Sequence, residues 1–309
     1  MSEERKAAAV FGALVADAAA LGLHWNYDPA RVKEVADANG GGAFVPLDAA
    51  HYEGISSSFK HALRCDGMQS QYGEVLRLTM HSMLDNGGFD DVAYRSSFVE
   101  FFGAGGPYQG YIDRPTRGVL ENTAAKAEVT GIDDDQLPAT TTLPAIVAWY
   151  SGSEQSAMAK VAREVTNINY VADGYAAVCA QVLNHLVSGK DLKTVLNMTA
   201  QDAEGEIGEA LRAALSTDEV DSVAYAQITG MACRLPMAVP LAFHIMSRAE
   251  DYADAVEQNI RAGGDSCGRA IIIGSMMAAA CGVRDIPLDW ILKLDCAEGV
   301  WAQCRALAR

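Results

Sequence analysis

The chain has 309 residues, half of them hydrophobic, and a formal net charge of −16. That length fills one large domain or two ordinary ones, and that charge argues against a nucleic-acid partner, which requires clustered Lys and Arg. The seven cysteines lie far apart with no Cys-x-x-Cys pair, which argues against zinc and thioredoxin-type chemistry and fits a reducing cytoplasm.

MSEERK carries charges of both signs and reads as no targeting signal. The apolar run from Ala270 to Ala280 is too short to span a bilayer, so no membrane partner is expected.

Helical signals dominate from end to end. Lys6 to Leu23 is Ala-rich and built of good helix formers. Asp28-Pro29 reads as an N-cap and first-turn proline, opening a helix that ends near Asn39 at a triple-glycine breaker. The stretch from Asn39 to Leu63 is aperiodic and rich in Gly and Ser, a long surface loop beside a site. Ser70 to Leu84 carries apolar residues at helical spacing, and Phe89 to Phe102 is a further amphipathic segment.

Thr116 to Val129, Leu143 to Tyr150, Glu154 to Val165 and Asp173 to Leu186 continue the pattern. Lys190 to Met198, Glu206 to Leu215, Ala238 to Arg248 and Tyr252 to Ala262 follow, and Pro287 to Ala308 closes the chain. Alternating β-branched runs are nearly absent, so no strand pair is expected. The prediction is one compact all-α, multi-helix domain over residues 1–309.

The segment from Gly263 to Gly282, GGDSCGRAIIIGSMMAAACG, is the most informative. Two glycines lead into an Asp-Ser-Cys-Gly turn and then about four helical turns of small and apolar residues. A helix N-terminus offers unpaired N–H groups and a partial positive charge, suited to anions, sugars and nucleophiles. Asp265 or Ser266 equally serves as an ordinary N-cap on a core helix.

Four other pieces accompany it: GALVADAAALGLHW (Gly12 to Trp25), GMQSQYGEVLRLTMHSML (Gly67 to Leu84), DDDQLPATTTLPAIVA (Asp133 to Ala148) and IPLDW (Ile286 to Trp290). In order and spacing, the five together resemble the ADP-ribosylglycohydrolase family, in its branch that includes jellyfish lens crystallins. The resemblance implies an all-α fold. It implies hydrolysis of the glycosidic bond between ADP-ribose and a protein side chain or related acceptor. It also implies two magnesium ions held between the Gly67 to Leu84 and Gly263 to Gly282 motifs.

Carried over position by position, the metal ligands are mostly replaced. Ser70 stands for a threonine, Gln71 and Tyr72 for two aspartates, and Gly73 for a second threonine. Asp265 is kept and Ser266 is conservative, but Cys267 and Gly268 replace the next aspartate and threonine. Thr166-Asn167 stands where the family has Thr-His. One carboxylate among neutral oxygens makes a poor magnesium site, so no resident metal is expected.

Asp265 and Cys267 are the catalytic candidates. Cys267 falls in the first turn of a helix with Arg269 nearby, where a thiol pKa can drop, and His24 is a potential partner base. The competing reading is a buried thiol that fills an apolar gap. Asp17, His24, Asp66, Ser70, Gln71, Tyr72, Glu74, Asp135, Gln136, Asn167, Ser266 and Arg269 are candidate ligand-binding residues. Asp17 also reads as a brace for the loop before Asp265, and Trp25 and Tyr27 with His24 as an aromatic wall.

Beside a cysteine hydrolase or transferase grafted onto the fold, which would rest only on Cys267 and His24, two functional readings stay open. One is a hydrolase of an N- or O-glycosidic ADP-ribosyl or related ligand, working with a degenerate metal site. The other is a non-catalytic member, either a ligand-binding pseudoenzyme or a crystallin-like structural protein.

Overall fold

The computed structural model describes residues 2–308. Among them are sixteen α-helices, four short 3-10 turns and three isolated β-bridges, with no strand. The N-terminal part contains α1 (Glu3–Ala20), α2 (Pro29–Ala38), α3 (Gln71–Asn86), α4 (Asp91–Phe102), α5 (Arg114–Ala124) and α6 (Leu143–Trp149). The middle contains α7 (Gly152–Glu164), α8 (Tyr170–Val187), α9 (Leu192–Asp202), α10 (Gly205–Ser216) and α11 (Ser222–Thr229). The rest is α12 (Leu235–Arg248), α13 (Tyr252–Arg261), α14 (Ser266–Cys281), α15 (Leu288–Lys293) and α16 (Ala297–Leu307).

The core is organised by α1 and α14. Both are apolar nearly all round and buried along almost their whole length, as helices enclosed by other helices must be. They run antiparallel: Arg5 near the start of α1 donates to Ala279 O (2.6 Å) and Ala280 O (2.8 Å) at the end of α14. A cation there satisfies orphan carbonyls at the negative end of the helix dipole.

Glycine lets the two backbones touch. A methyl group on Gly274 would lie 2.5 Å from both Ala16 Cβ and Gly12 O, and one on Gly12 would lie 2.7 Å from Gly274 O. The antiparallel arrangement brings the end of α1, with His24, beside the start of α14, with Asp265.

Local signals set most helix starts. Ser70, Asp90, Asp113, Asn169, Asp191, Asp221 and Asp251 each accept a hydrogen bond from a first-turn N–H. Asp28 with Pro29 opens α2 in the same way.

Three expectations need correction. The terminal segment is two helices, because Cys296 takes a left-handed conformation (φ 56°) while Asp295 N–H bonds to Gly67 O at 2.9 Å. The helix expected over Thr116 to Val129 stops at Ala124, just before left-handed Lys126. The short helix α11, capped by Asp221, was not expected at all. The loop from Asn39 to Leu63 holds only one 3-10 turn, Ala49–Tyr52.

Candidate functional site

The site begins where the Gly263-Gly264 turn enters α14. Both glycines have positive φ, and a side chain on Gly264 would strike Met231 O. Trp25 N–H donates to Gly264 O (2.8 Å), Gly264 N–H to Asn26 O (2.7 Å) and Asp265 N–H to Met231 O (2.9 Å). Trp25 is itself left-handed (φ 62°), an uncommon state for a bulky residue that places its ring against the His24 imidazole at 4.1 Å.

Asp265 is the centre of this arrangement. Its Oδ1 accepts from Gly268 N–H (3.1 Å), capping α14, and lies 3.0 Å from His24 Nε2. Its Oδ2 accepts from the Tyr72 hydroxyl at 2.7 Å. Burial alone would raise its pKa. The hydrogen bond and charge of His24, with Tyr72 and Trp25 as further donors, outweigh burial and hold the carboxyl below its ordinary range. The Tyr72 phenol is pushed well above its ordinary value by burial and then by the Asp265 charge, so it stays a donor.

Asp265 and Tyr72 form part of the wall of a cavity of about 380 Å³. Trp25, Tyr27 and Tyr111 supply aromatic faces, and Lys60 and Arg114 supply cations in an otherwise acidic protein. Ser56, Ser57 and Ser58 come from the long loop, and Gln136 and Cys233 complete the lining.

A second carboxyl, Asp113, lines the same cavity. Its Oδ1 caps α5 through Thr116 N–H (2.8 Å), its backbone N–H donates to Gln71 Oε1 (2.6 Å), and its Oδ2 is buried without a partner. Burial raises its pKa more than the Thr116 and Gln71 hydrogen bonds lower it, and the Asp265 charge adds to the rise.

The sequence candidates divide accordingly. Asp265, Tyr72 and Gln136 face the cavity. His24 and Gln71 stand one layer behind it, holding Asp265 and Asp113; Gln71 Nε2 also donates to Thr116 Oγ1 at 2.5 Å.

Cys267 requires correction as a nucleophile. It is fully buried, its thiol touches Asp17 O at 3.5 Å, and burial followed by the Asp17 and Asp265 charges pushes its pKa well up. Both His24 nitrogens are engaged elsewhere, with Asp265 and His61.

Arg269 requires correction as a ligand contact. It is buried and donates to Asn259 Oδ1, Met231 O, Asn259 O and Gly263 O, locking the turn. Asp17 braces the start of α3 rather than the loop before Asp265. It accepts from Ser70 N–H (2.7 Å) and Ser70 Oγ (2.5 Å), and burial pushes its pKa up to about 7. Ser70 is thereby turned away from the cavity, and the buried Ser266 is not part of its lining; the Ser266 carbonyl accepts from Asn259 Nδ2.

Four further candidates lie away from it. Asp66 accepts from Leu47 N–H at the surface, and Glu74 pairs with Arg64. Asp135 receives the Arg234 guanidinium, and Asn167 donates to Asp134 O and Oδ1. Sequence reasoning missed Asp113, Lys60, His61, Tyr111, Arg114 and Cys233. Of these, Lys60 and His61 had one signal, their place in the loop expected beside a site.

Magnesium, implied by the resemblance, needs several hard oxygen ligands converging on one point. Here Asp265 already spends both oxygens on His24, Gly268 and Tyr72, while Ser70 and Gln71 turn to Asp17, Thr116 and Asp113. No group of three or more His, Cys, Asp or Glu among the described residues is arranged to hold an ion. This donor set does not fit the cation.

Comparison with known proteins agrees with the fold and the motifs. A family model described as ADP-ribosylglycohydrolase matches residues 2–309. Crystallin J1A and Crystallin J1B of Tripedalia cystophora are each 27% identical over 307 residues, covering 94% of this chain and 92% of theirs. A solved structure titled ADP-ribosylglycohydrolase-related protein complex superposes with a TM-score of 0.73 at 17% identity, covering 99% of this chain and 98% of that one. That neighbour shares the fold.

Proposed function

This chain belongs to the ADP-ribosylglycohydrolase family, and from that premise we propose that its cavity takes an ADP-ribosyl or related N- or O-glycosidic ligand and hydrolyses it without a metal. The observation that carries this reading is the pair of unlike carboxyls on one cavity. Asp113 is pushed toward its protonated form by burial, while Asp265 is held as a carboxylate by His24, Tyr72 and Trp25. Environments that drive two carboxyls apart assign the acid and the base.

Asp113 donates its proton to the leaving oxygen or nitrogen as the glycosidic bond breaks. Asp265 accepts a proton on Oδ2, which holds only the Tyr72 hydroxyl and keeps one lone pair, from the water whose oxygen bonds to the anomeric carbon. Exchange with solvent returns both groups to their starting states, and one water is consumed per bond cleaved. Lys60 suits the anionic part of the ligand, with Arg114, paired to Asp134, beside it, and Trp25, Tyr27 and Tyr111 suit its rings. All seven cysteines are free, which supports placement in a reducing compartment.

The test is release of ADP-ribose from an ADP-ribosylated arginine peptide in the presence of a chelator. Activity that survives chelation and falls about 100-fold or more in both Asp113→Asn and Asp265→Asn supports the mechanism. Activity that requires added magnesium overturns it.

A second reading, a non-catalytic ligand-binding or crystallin-like protein, is favoured by one feature: the Tyr72 hydroxyl covers Asp265 Oδ2. The likeness to two crystallins over most of the chain points the same way. ADP-ribose binding by calorimetry with no turnover selects the pseudoenzyme form of that reading.

A further inference from the structure

We propose that His61 is a positioning residue for Asp265, acting through His24, and that the same side chain anchors the loop carrying Lys60 over the cavity. The inference rests on the cavity being the functional site as read above.

His61 is 3% exposed although it ends a long, mostly polar loop. Its Nε2 lies 2.9 Å from His24 Nδ1, and with centroids 5.0 Å apart and planes within 20° the two imidazoles lie edge to edge and nearly coplanar. The Trp25 ring lies across this pair, 4.1 Å from His24 and 5.7 Å from His61, and within 14° of parallel to the latter. Midway along the same loop, the buried Tyr52 hydroxyl donates to His24 O (2.8 Å), with Gly22 O at 3.2 Å. Residues 53–60 therefore form a strap with both ends fastened to residues 22–24. Phe59 packs between the two anchors, against Tyr52 at 5.5 Å and His61 at 6.4 Å.

The strap faces the cavity with Ser56, Ser57, Ser58 and Lys60. One further bond pins it there, from Tyr27 N–H to Ser57 Oγ at 2.8 Å. Lys60 sits 5.9 Å from the Tyr111 ring centroid, and no carboxylate among the described residues pairs with it.

The hydrogen bonds make His61 more than a filler. A carboxylate only accepts, so His24 Nε2 must carry the proton it offers Asp265. The other nitrogen of that ring then needs a partner in a buried site, and His61 Nε2 is that partner. Burial, with the charges of His24 and Arg64, holds His61 neutral, so its Nε2 can donate or accept as His24 requires. An apolar ring of similar size would keep the packing against Trp25 but leave His24 Nδ1 buried and unpaired. Both the imidazole's aim at Asp265 and the strap's anchor would loosen together.

The test compares wild type with His61→Phe and His61→Gln. In the wild type, ¹⁵N-labelled histidine should show scalar coupling across the His24–His61 hydrogen bond; its absence would overturn the proposal. His61→Phe should weaken binding of ADP-ribose, the probe, by about tenfold or more, as expected for a lost bond in a charged network. It should also accelerate tryptic cleavage after Lys60 by about tenfold through local opening.

His61→Gln keeps a group able to bond His24 Nδ1 and should return both readouts most of the way to wild type. Wild-type binding and cleavage in His61→Phe, or equal damage in His61→Gln, would sink the idea. If the wild type shows the coupling and the cleavage pattern but binds no ADP-ribose, the ligand assignment fails while the positioning role stands.

Discussion

Replacing Gly274 by alanine sets two opposed effects against each other in the helix pair that carries the site. In an exposed helix the change gains about 1 kcal/mol, because glycine spends more backbone entropy in folding. At Gly274 the added methyl would sit 2.5 Å from both Ala16 Cβ and Gly12 O. Carbon atoms settle at roughly 3.5–4 Å, so α1 and α14 must part by about 1 Å. Overpacking of this kind costs about 1–3 kcal/mol, and the upper end applies when the obstacle is backbone.

The net expectation is a loss of about 1–2 kcal/mol, the overpacking cost less the propensity gain. Gly12→Ala should behave alike, and the double variant should cost less than the sum, since both methyls widen one gap. Gly299→Ala in α16, where nothing lies within 4 Å, is the control and should gain up to about 1 kcal/mol. Urea unfolding with the slope m compared across variants measures all four. A Gly274→Ala protein as stable as wild type at unchanged m would refute the close-contact argument.

His244 is fully buried, stacks on Tyr225 at 4.1 Å, and is pushed down to about 4 by burial and then by Arg248. The unfolded chain takes up that proton near pH 6.5, so stability is full above 6.5 and declines by up to about 3 kcal/mol as pH falls toward 4. His244→Phe should flatten this decline in urea midpoints between pH 7 and 4.5; an unchanged slope would count against it. Asp17, pushed up to about 7, works in the opposite direction: stability falls as pH rises from about 3.8 through 7. Asp17→Asn should therefore exceed wild type at pH 8.5 while matching or trailing it at pH 5, and equal stability at both would contradict the assignment. Under native conditions iodoacetamide should modify exposed Cys65, Cys281 and Cys296 and spare Cys267 until the chain unfolds. Mass-spectrometric detection of alkylated Cys267 in the folded protein would restore it as a nucleophile.

The sequence by itself determined most of the helices and which motifs meet at the cavity. Apolar spacing and N-caps are local properties, and that is why α2, α3 and α14 begin within about one residue of where the pattern places them. The motif order likewise marked Asp265 and Tyr72 as neighbours across a cleft. Where a helix was misjudged, as at Cys296, the cause was a long-range bond from Asp295 N–H to Gly67 O that no local pattern carries.

Only the tertiary structure decided the burial and the hydrogen-bond partners of these side chains. The helix dipole argued for a lowered thiol at Cys267, but complete burial against Asp17 raises it, because the cost of desolvating a charge outweighs a partial charge at the helix end. Asp113, which the sequence reading did not single out, caps α5, and its place beside the cavity depends on packing that leaves Oδ2 buried and unpaired. Asp265 meets His24 across 241 positions and Tyr72 across 193, and His24 meets His61 across 37. Those separations are closed by the antiparallel packing of α1 on α14, by α3 packing against both, and by the strap folding back over them. Charge and proton position at the site depend on distances and burial that exist only after that packing.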